Sequence, residues 1–92
     1  MVRWSTAGDV ALVRDSPAAT AYLEALGKAL RKRREAMDLS QEDFAHEAGL
    51  DRTYVSGIER GVRNITIKTM LRICDVLGIK PSQLLNSAER QR

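Results

Sequence analysis

The segment RTYVSGIERGVRN at residues 52–64 carries side chains that can bind the bases and phosphates of nucleic acid. Arginine pairs with guanine through two hydrogen bonds, and serine or threonine donates or accepts at base edges in the major groove of DNA. Arginine and asparagine also contact phosphate oxygens, which fix the register of a protein on a duplex. The chemistry that this segment predicts is recognition of double-stranded DNA.

The apolar residues of this segment indicate which side of it is free. When successive residues are set about 100° apart around a helix, Val55 and Ile58 define the inner side, and Thr53 and Arg60 fall opposite. The outer face then carries arginine, threonine and serine without a carboxylate, and Gly57 leaves room for a close backbone approach. Every surface helix has a polar side, so this pattern alone leaves DNA contact and a plain solvated face equally open.

Capping residues and glycines divide the chain into five predicted helices and no strands. We expect helices over 17–37, 41–48, 52–60 and 67–77, and a short helix from 81 to 85. Serine, aspartate and threonine precede helices as N-caps, and glycine ends them. The second and third helices are joined through Gly49, which is typical of a helix-turn-helix. The prediction is an all-α domain over 17–85, with an N-terminal arm or tail at 1–16 and a C-terminal tail at 86–92.

Stripes of apolar residues predict how the first and fourth helices pack. The stripe of the first helix is Leu23, Leu26, Leu30 and Met37, and that of the fourth is Ile67, Met70, Leu71, Cys74 and Leu77. Gly27 is expected to weaken the first helix, because glycine costs about 0.5–1 kcal/mol relative to alanine inside a helix.

Arg34 falls on the apolar stripe of the first helix, where an unpaired charge is costly. Glu59 lies close to the inner side of the third helix. These positions predict a largely buried Arg34–Glu59 ion pair that connects the two helices. The alternative is that both side chains extend to solvent.

A second apolar side on the fourth helix suggests self-association. The residues expected at a dimer interface are Ile73, Val76, Ile79 and Leu84. A face of this kind suits a second copy of the chain, unless the fifth helix and the N-terminal arm cover it.

Composition excludes several other classes of function. The 92 residues carry a net charge of +3 and a single cysteine, so an intramolecular disulfide is impossible and a reducing cytoplasm is expected. No apolar run is long enough to span a membrane. The sequence has no metal-ligand spacing, no nucleophile with a base and no phosphate-binding glycine loop. We therefore expect no enzyme activity, no metal, no cofactor and no small-molecule ligand.

Three motifs complete this picture: LSQEDFA at 39–45, IERG at 58–61 and LGIKPSQLL at 77–85. Together they resemble the Xre/Cro/C1-type helix-turn-helix regulators of phages and bacteria, over roughly residues 26–85. More narrowly, LDRTYVSGIERGVRNITIK resembles the controller proteins of bacterial restriction–modification systems. The resemblance implies a five-helix domain of the lambda-repressor type that binds inverted repeats in DNA as a homodimer.

The resemblance also implies roles for individual residues. Bases would be contacted by Arg52, Thr53 and Ser56. Phosphates would be contacted by Gln41, Arg60, Arg63 and Asn64, and Tyr54 would either touch phosphate or pack beside Ile58. The family has an arginine–glutamate pair at the positions of Arg34 and Glu59, which agrees with the stripe argument.

The function expected from these observations is a cytoplasmic, autoregulatory transcription regulator of a controller protein or mobile-element type. Its partners would be double-stranded DNA, a second copy of itself, and RNA polymerase or an antagonist protein. One alternative is an antitoxin whose N-terminal arm masks a toxin while its helices bind the operon. Another is a non-specific nucleoid or RNA binder.

Overall fold

The computed structural model describes residues 16–91 as five α-helices with short connections. These are α1 (Pro17–Ala36), α2 (Gln41–Ala48), α3 (Arg52–Glu59), α4 (Ile67–Leu77) and α5 (Pro81–Gln91). The all-α architecture that the sequence predicts is confirmed. The predicted N-terminal arm lies outside the described residues, apart from Ser16.

Side-chain caps and left-handed glycines set most of the helix ends. Ser16, Ser40 and Thr66 each accept a hydrogen bond from a backbone N–H of the first turn, which satisfies one of the donors that a helix start leaves unpaired. Gly49 and Gly78 end α2 and α4 with φ values of 70° and 69°. Glycine adopts this left-handed conformation without the penalty that a Cβ atom imposes.

A single core collects the inner faces of all five helices. Its largest fully buried side chains are Phe44, Leu30, Ile73, Leu84, Val55 and Cys74. Burial raises the pKa of the Cys74 thiol, which suits a small core residue rather than a reactive one.

The apolar stripes differ from the prediction at several ends. Met37 follows α1 as its C-cap and is exposed. On α4, Ile67 and Leu71 are exposed, whereas the stripe that reaches the core is Met70, Ile73 and Cys74. The side of α4 that packs into the core therefore includes Ile73 and excludes Leu71.

The predicted C-terminal tail is wrong, because α5 continues to Gln91 and packs along α1. Ala88 is fully buried one turn after Leu84. The hydroxyl of Tyr22 donates to Glu89 Oε2 at 2.8 Å, and Arg33 Nη2 donates to Ser87 Oγ at 2.8 Å. The longer α5 therefore adds buried contacts with α1 that a helix ending at residue 85 would lack.

The predicted dimer interface is wrong at two of its four residues. Ile73 of α4 and Leu84 of α5 have exposed fractions of 0% and 1% and belong to the buried core. Val76 and Ile79 are half-buried and pack against that core. Of the four residues, only these two retain surface that a second copy could contact.

Candidate nucleic-acid interface

The turn between α2 and α3 fixes the start of the helix that carries the predicted base contacts. Gly49 adopts the left-handed conformation, and the N–H of Leu50 donates to the carbonyl of Ala45 at 2.8 Å. Leu50 packs against the core. α2 and α3 are thus joined by a three-residue connection. Backbone hydrogen bonds and the packing of Leu50 fix its conformation.

Asp51 caps α3 through one carboxylate oxygen. Its Oδ1 accepts from the backbone N–H of Thr53 and from the Thr53 hydroxyl, both at 3.0 Å. These hydrogen bonds lower the pKa of Asp51, the backbone one most, because they stabilise the charged form. The cap orients the first turn of α3, where Arg52 and Thr53 are exposed.

The inner side of α3 is held by the predicted ion pair. Arg34 Nε and Nη2 donate to the two carboxylate oxygens of Glu59 at 2.7 and 3.0 Å, and both residues are buried. Hydrogen bonding to Glu59 is the main cause that raises the pKa of the Arg34 guanidinium. This bidentate geometry gives two parallel charge-assisted hydrogen bonds, which are stronger than neutral ones.

Two further groups complete the hydrogen bonding of this pair. Arg34 Nη1 donates to the carbonyl of Leu39 at 2.7 Å, and Gln41 Nε2 donates to Glu59 Oε1 at 3.0 Å. No buried side-chain nitrogen or oxygen of the described residues lacks a partner. The network joins α1, the α1–α2 turn, the start of α2 and the end of α3.

Gln41 therefore has a structural contact in addition to its predicted role. The resemblance implies that it holds phosphate from the start of α2, and the structure directs its amide toward Glu59. An amide nitrogen has two N–H donors, so one remains for another acceptor. The phosphate contact stays a prediction.

Two glycines let α1 and α3 approach to backbone contact. A Cβ atom on Gly27 would lie 2.4 Å from the carbonyl oxygens of Ile58 and Glu59. A Cβ atom on Gly61, where φ is 77°, would lie 2.7 Å from Glu24 Cα. Gly27 was expected only to weaken α1, but its missing side chain is the space that the end of α3 occupies.

The outer side of α3 presents the residues predicted to contact DNA. Arg52, Thr53 and Arg60 are exposed, and Ser56 is half-buried. The only carboxylate of α3 is that of Glu59, which is buried on the other side. The helix therefore offers hydrogen-bond donors and positive charge on its outer side.

The loop after α3 places Arg63 back onto that helix. The guanidinium carbon of Arg63 lies 5.8 Å from the centre of the Tyr54 ring, a distance typical of a cation–π contact. A Cβ atom on Gly57 would lie 2.6 Å from Arg63 Cγ. The sequence predicts that Gly57 leaves room for an approaching backbone, whereas in the structure the Arg63 side chain fills that space. Asn64 follows and is exposed.

Tyr54 is half-buried and packs against the core. Of the two roles left open for it, packing is observed, and its contact with Arg63 was not foreseen. The sequence holds a weak signal for this contact, since an aromatic ring and an arginine flank a glycine. Helical periodicity ends at Gly61, however, so it cannot indicate where a loop residue returns.

Metal-binding clusters and membrane-spanning helices are absent from the described residues. No three histidine, cysteine, aspartate or glutamate side chains between 16 and 91 are grouped so that they could bind a metal ion. Within the same range, every helix is too short or too polar to cross a membrane. The polar, outward side of α3 and the loop after it carry the exposed predicted contact residues and form the candidate site.

Comparison with known proteins agrees with this geometry. Residues 30–84 match the helix-turn-helix family. The chain is a member of that family. This helix-turn-helix protein is 46% identical to the control protein C.MunI of Mycoplasma sp. over 66 residues, which cover 71% of the chain and 89% of C.MunI.

Solved structures of controller proteins superpose on this helix-turn-helix protein. The restriction–modification controller protein C.AhdI from Aeromonas hydrophila gives a TM-score of 0.66 at 45% identity, covering 67% of the chain and 94% of C.AhdI. The controller protein C.Esp1396I, solved as a tetramer in complex with its natural 35 base-pair operator, gives a TM-score of 0.68 at 34% identity, covering 76% of this chain and 92% of that one. The resemblance noted in the sequence is confirmed.

Proposed function

We propose that this protein is a sequence-specific, DNA-binding transcription regulator of the controller type. The observation that carries the proposal is the outer side of α3, where Arg52 and Thr53 are exposed beside a helix start fixed by Asp51. A helix of this kind enters the major groove with its N-terminal residues toward the bases. Membership of the helix-turn-helix family and the operator complex of C.Esp1396I support the same function.

In the proposed complex, Arg52, Thr53 and Ser56 contact bases. Phosphates are contacted by Gln41, Arg60, Arg63 and Asn64. Tyr54 contributes by packing against the core and against the Arg63 guanidinium. Arginine at the start of α3 would select guanine through paired hydrogen bonds, and the loop after α3 would hold the backbone next to the contacted bases.

The protein would bind an inverted repeat as a homodimer. Because Ile73 and Leu84 are buried, we place the self-contact on exposed apolar surface of α4. Ile67 and Leu71 are 70% and 52% exposed and lie one turn apart, so a second copy that covered them would remove apolar area from water. Val76 and Ile79 remain as the half-buried candidates from the sequence.

Selection from a random duplex pool tests the function. We expect the full chain to enrich an inverted repeat with half-site centres about one helical turn apart. Sedimentation of the free protein at micromolar concentration is expected to show a dimer, and substitution of Leu71 by glutamate to shift it toward monomer. Binding that showed no sequence preference would instead favour the non-specific nucleic-acid binder.

Control of the protein by its own concentration is part of this proposal. The resemblance to controller proteins supports it, because that resemblance implies action on the promoter of the protein's own gene. The expected operator therefore lies upstream of that gene. A reporter fused to the upstream region tests this directly: its output is expected to change as the concentration of the protein is raised.

A further inference from the structure

The Arg63 side chain lies on α3 although it belongs to the following loop. Two independent contacts define its position. Its aliphatic stem occupies the space over Gly57, where a Cβ atom would be 2.6 Å from Arg63 Cγ, 3.2 Å from Nε and 3.5 Å from Cδ. Its guanidinium carbon lies 5.8 Å from the centre of the Tyr54 ring. The three residues form what we call the Arg63 seat.

The seat leaves the hydrogen-bonding capacity of the guanidinium free. The contact with Tyr54 is made over the face of that ring, which is not one of the usual acceptors for the five N–H donors of a guanidinium. Among residues 16–91, no carboxylate lies within salt-bridge distance of Arg63, since the ion pairs of this region are Arg31–Glu35 and Arg34–Glu59. Arg63 is also exposed. It is therefore held in place while its donors remain available to an anion.

Holding a long side chain in advance has a consequence for affinity. An arginine has several rotatable bonds, and ordering them on binding opposes association. Where the free protein already restricts those bonds, that cost is partly removed from the binding step. A glycine is required for this restriction, because any side chain at position 57 would occupy the volume of the stem.

We propose that Gly57 and Tyr54 are positioning residues that set DNA affinity by holding Arg63 ready for a phosphate. The inference rests on the proposed DNA-binding function and adds to it two residues that need not touch DNA themselves. Gly57 would matter through the absence of a side chain, and Tyr54 through the face of its ring rather than its hydroxyl.

Gly57→Ala is the decisive variant. Its Cβ would meet a flexible side chain rather than backbone, so Arg63 can move away while the fold is kept. Since alanine favours a helix more than glycine does, the thermal midpoint is expected to stay the same or rise. Affinity for the duplex that the wild-type chain selects is expected to fall roughly two- to tenfold.

A double-mutant cycle separates the seat from a direct effect at position 57. In the wild-type chain, Gly57→Ala is expected to lower affinity for DNA. In the Arg63→Ala variant, the same substitution is expected to cause no further loss, because the side chain through which Gly57 acts is absent. Both single variants should flatten the dependence of log affinity on log salt by up to about 0.9, the value of one phosphate contact. Tyr54→Leu should behave like Gly57→Ala, and Tyr54→Phe should bind like the wild type.

Three outcomes would overturn the inference. Equal losses from Gly57→Ala with and without Arg63 would place its effect elsewhere, for example in direct contact of α3 with DNA. A gain in affinity would mean that the seat withholds Arg63 from DNA. Wild-type affinity in Gly57→Ala would make the seat irrelevant to binding. A wild-type chain that selects no duplex would overturn the proposed function itself, which distinguishes the two failures.

Discussion

The inner side of α3 rests on backbone and on a buried ion pair, whereas its outer side is covered only by side chains that can move. Gly27 brings α1 against the carbonyls of Ile58 and Glu59, and the Glu59 carboxylate is fully paired within the protein. On the outer side, Gly57 meets the stem of Arg63. The same helix therefore has an inner side fixed by backbone contacts and buried charge, and an outer side whose contacts are made by side chains.

By this division of its two sides, a helix of eight residues can serve both the fold and a partner. Changes on the inner side should alter the free energy of unfolding, because backbone and buried charge cannot rearrange cheaply. Changes on the outer side should alter affinity for DNA and leave unfolding nearly unchanged.

Removing the charge of Glu59 is expected to have the largest effect. Glu59→Gln leaves the buried guanidinium of Arg34 without its carboxylate, and breaking a buried pair costs about 3–5 kcal/mol of unfolding free energy. Urea denaturation measures this. As a control, the joint replacement Arg34→Met and Glu59→Leu should cost less than Glu59→Gln alone, because no unpaired charge remains buried. An unchanged urea midpoint in Glu59→Gln would mean that the pair does not hold α3.

Gly27→Ala should destabilise the protein although alanine favours a helix. The added Cβ would meet two carbonyl oxygens at 2.4 Å, and overpacking of this kind costs about 1–3 kcal/mol. Gly57→Ala is the matched control, since it makes the same chemical change on the outer side of α3. The thermal midpoint is expected to fall in Gly27→Ala and to stay the same or rise in Gly57→Ala. Equal thermal midpoints for the two variants would mean that the inner and outer sides of α3 tolerate an added Cβ atom equally well.

Arg52→Ala should affect DNA binding and leave folding intact. Arg52 is exposed at the start of α3, and loss of a paired contact to guanine costs about 1–3 kcal/mol on the cognate site and relaxes preference at that base pair. Fluorescence anisotropy on the selected duplex and on single-base variants measures both effects. Lys80 is exposed in the connection between α4 and α5. Lys80→Ala is the control, since it also removes one positive charge and should bind like the wild type. A loss of affinity equal across all sequences would reassign Arg52 to phosphate.

Much of the inner attachment was predictable from the sequence. Arg34 stands on an apolar stripe and needs a partner, and the inner position of Glu59 supplies one. Gly27 was misread, because its function depends on a carbonyl of a helix about thirty residues later in the chain. The packing of α5 was also missed: Ala88 continues the stripe of Leu84, but a small side chain in a polar segment gives a weak periodic signal. That omission also led Ile73 and Leu84 to be assigned to a dimer interface.

The outer side was predictable only as far as helical periodicity extends. The positions of Val55 and Ile58 predict that Thr53 and Arg60 face outward, whereas the assignment of Arg52, Thr53 and Ser56 to bases is what the family resemblance implies. The return of Arg63 onto Gly57 and Tyr54 depends on the path of a loop, for which the sequence offers no repeating pattern. The family resemblance supplied a role for Arg63 but not its seat.

The smallest expected effect concerns Asp51, which joins the two sides by fixing the start of α3. Donation from Thr53 lowers the pKa of Asp51 in the folded chain, so its ionised cap contributes stability above the unfolded value of about 3.9. That contribution is lost as pH falls through the lower folded pKa. An asparagine at this position would still cap the helix but would not ionise, so the stability difference between the wild type and Asp51→Asn is expected to be positive at pH 7 and to shrink below about pH 4. Denaturation of both proteins from neutral to acidic pH measures the difference, and a constant gap would show that the charge of Asp51 does not contribute to the cap.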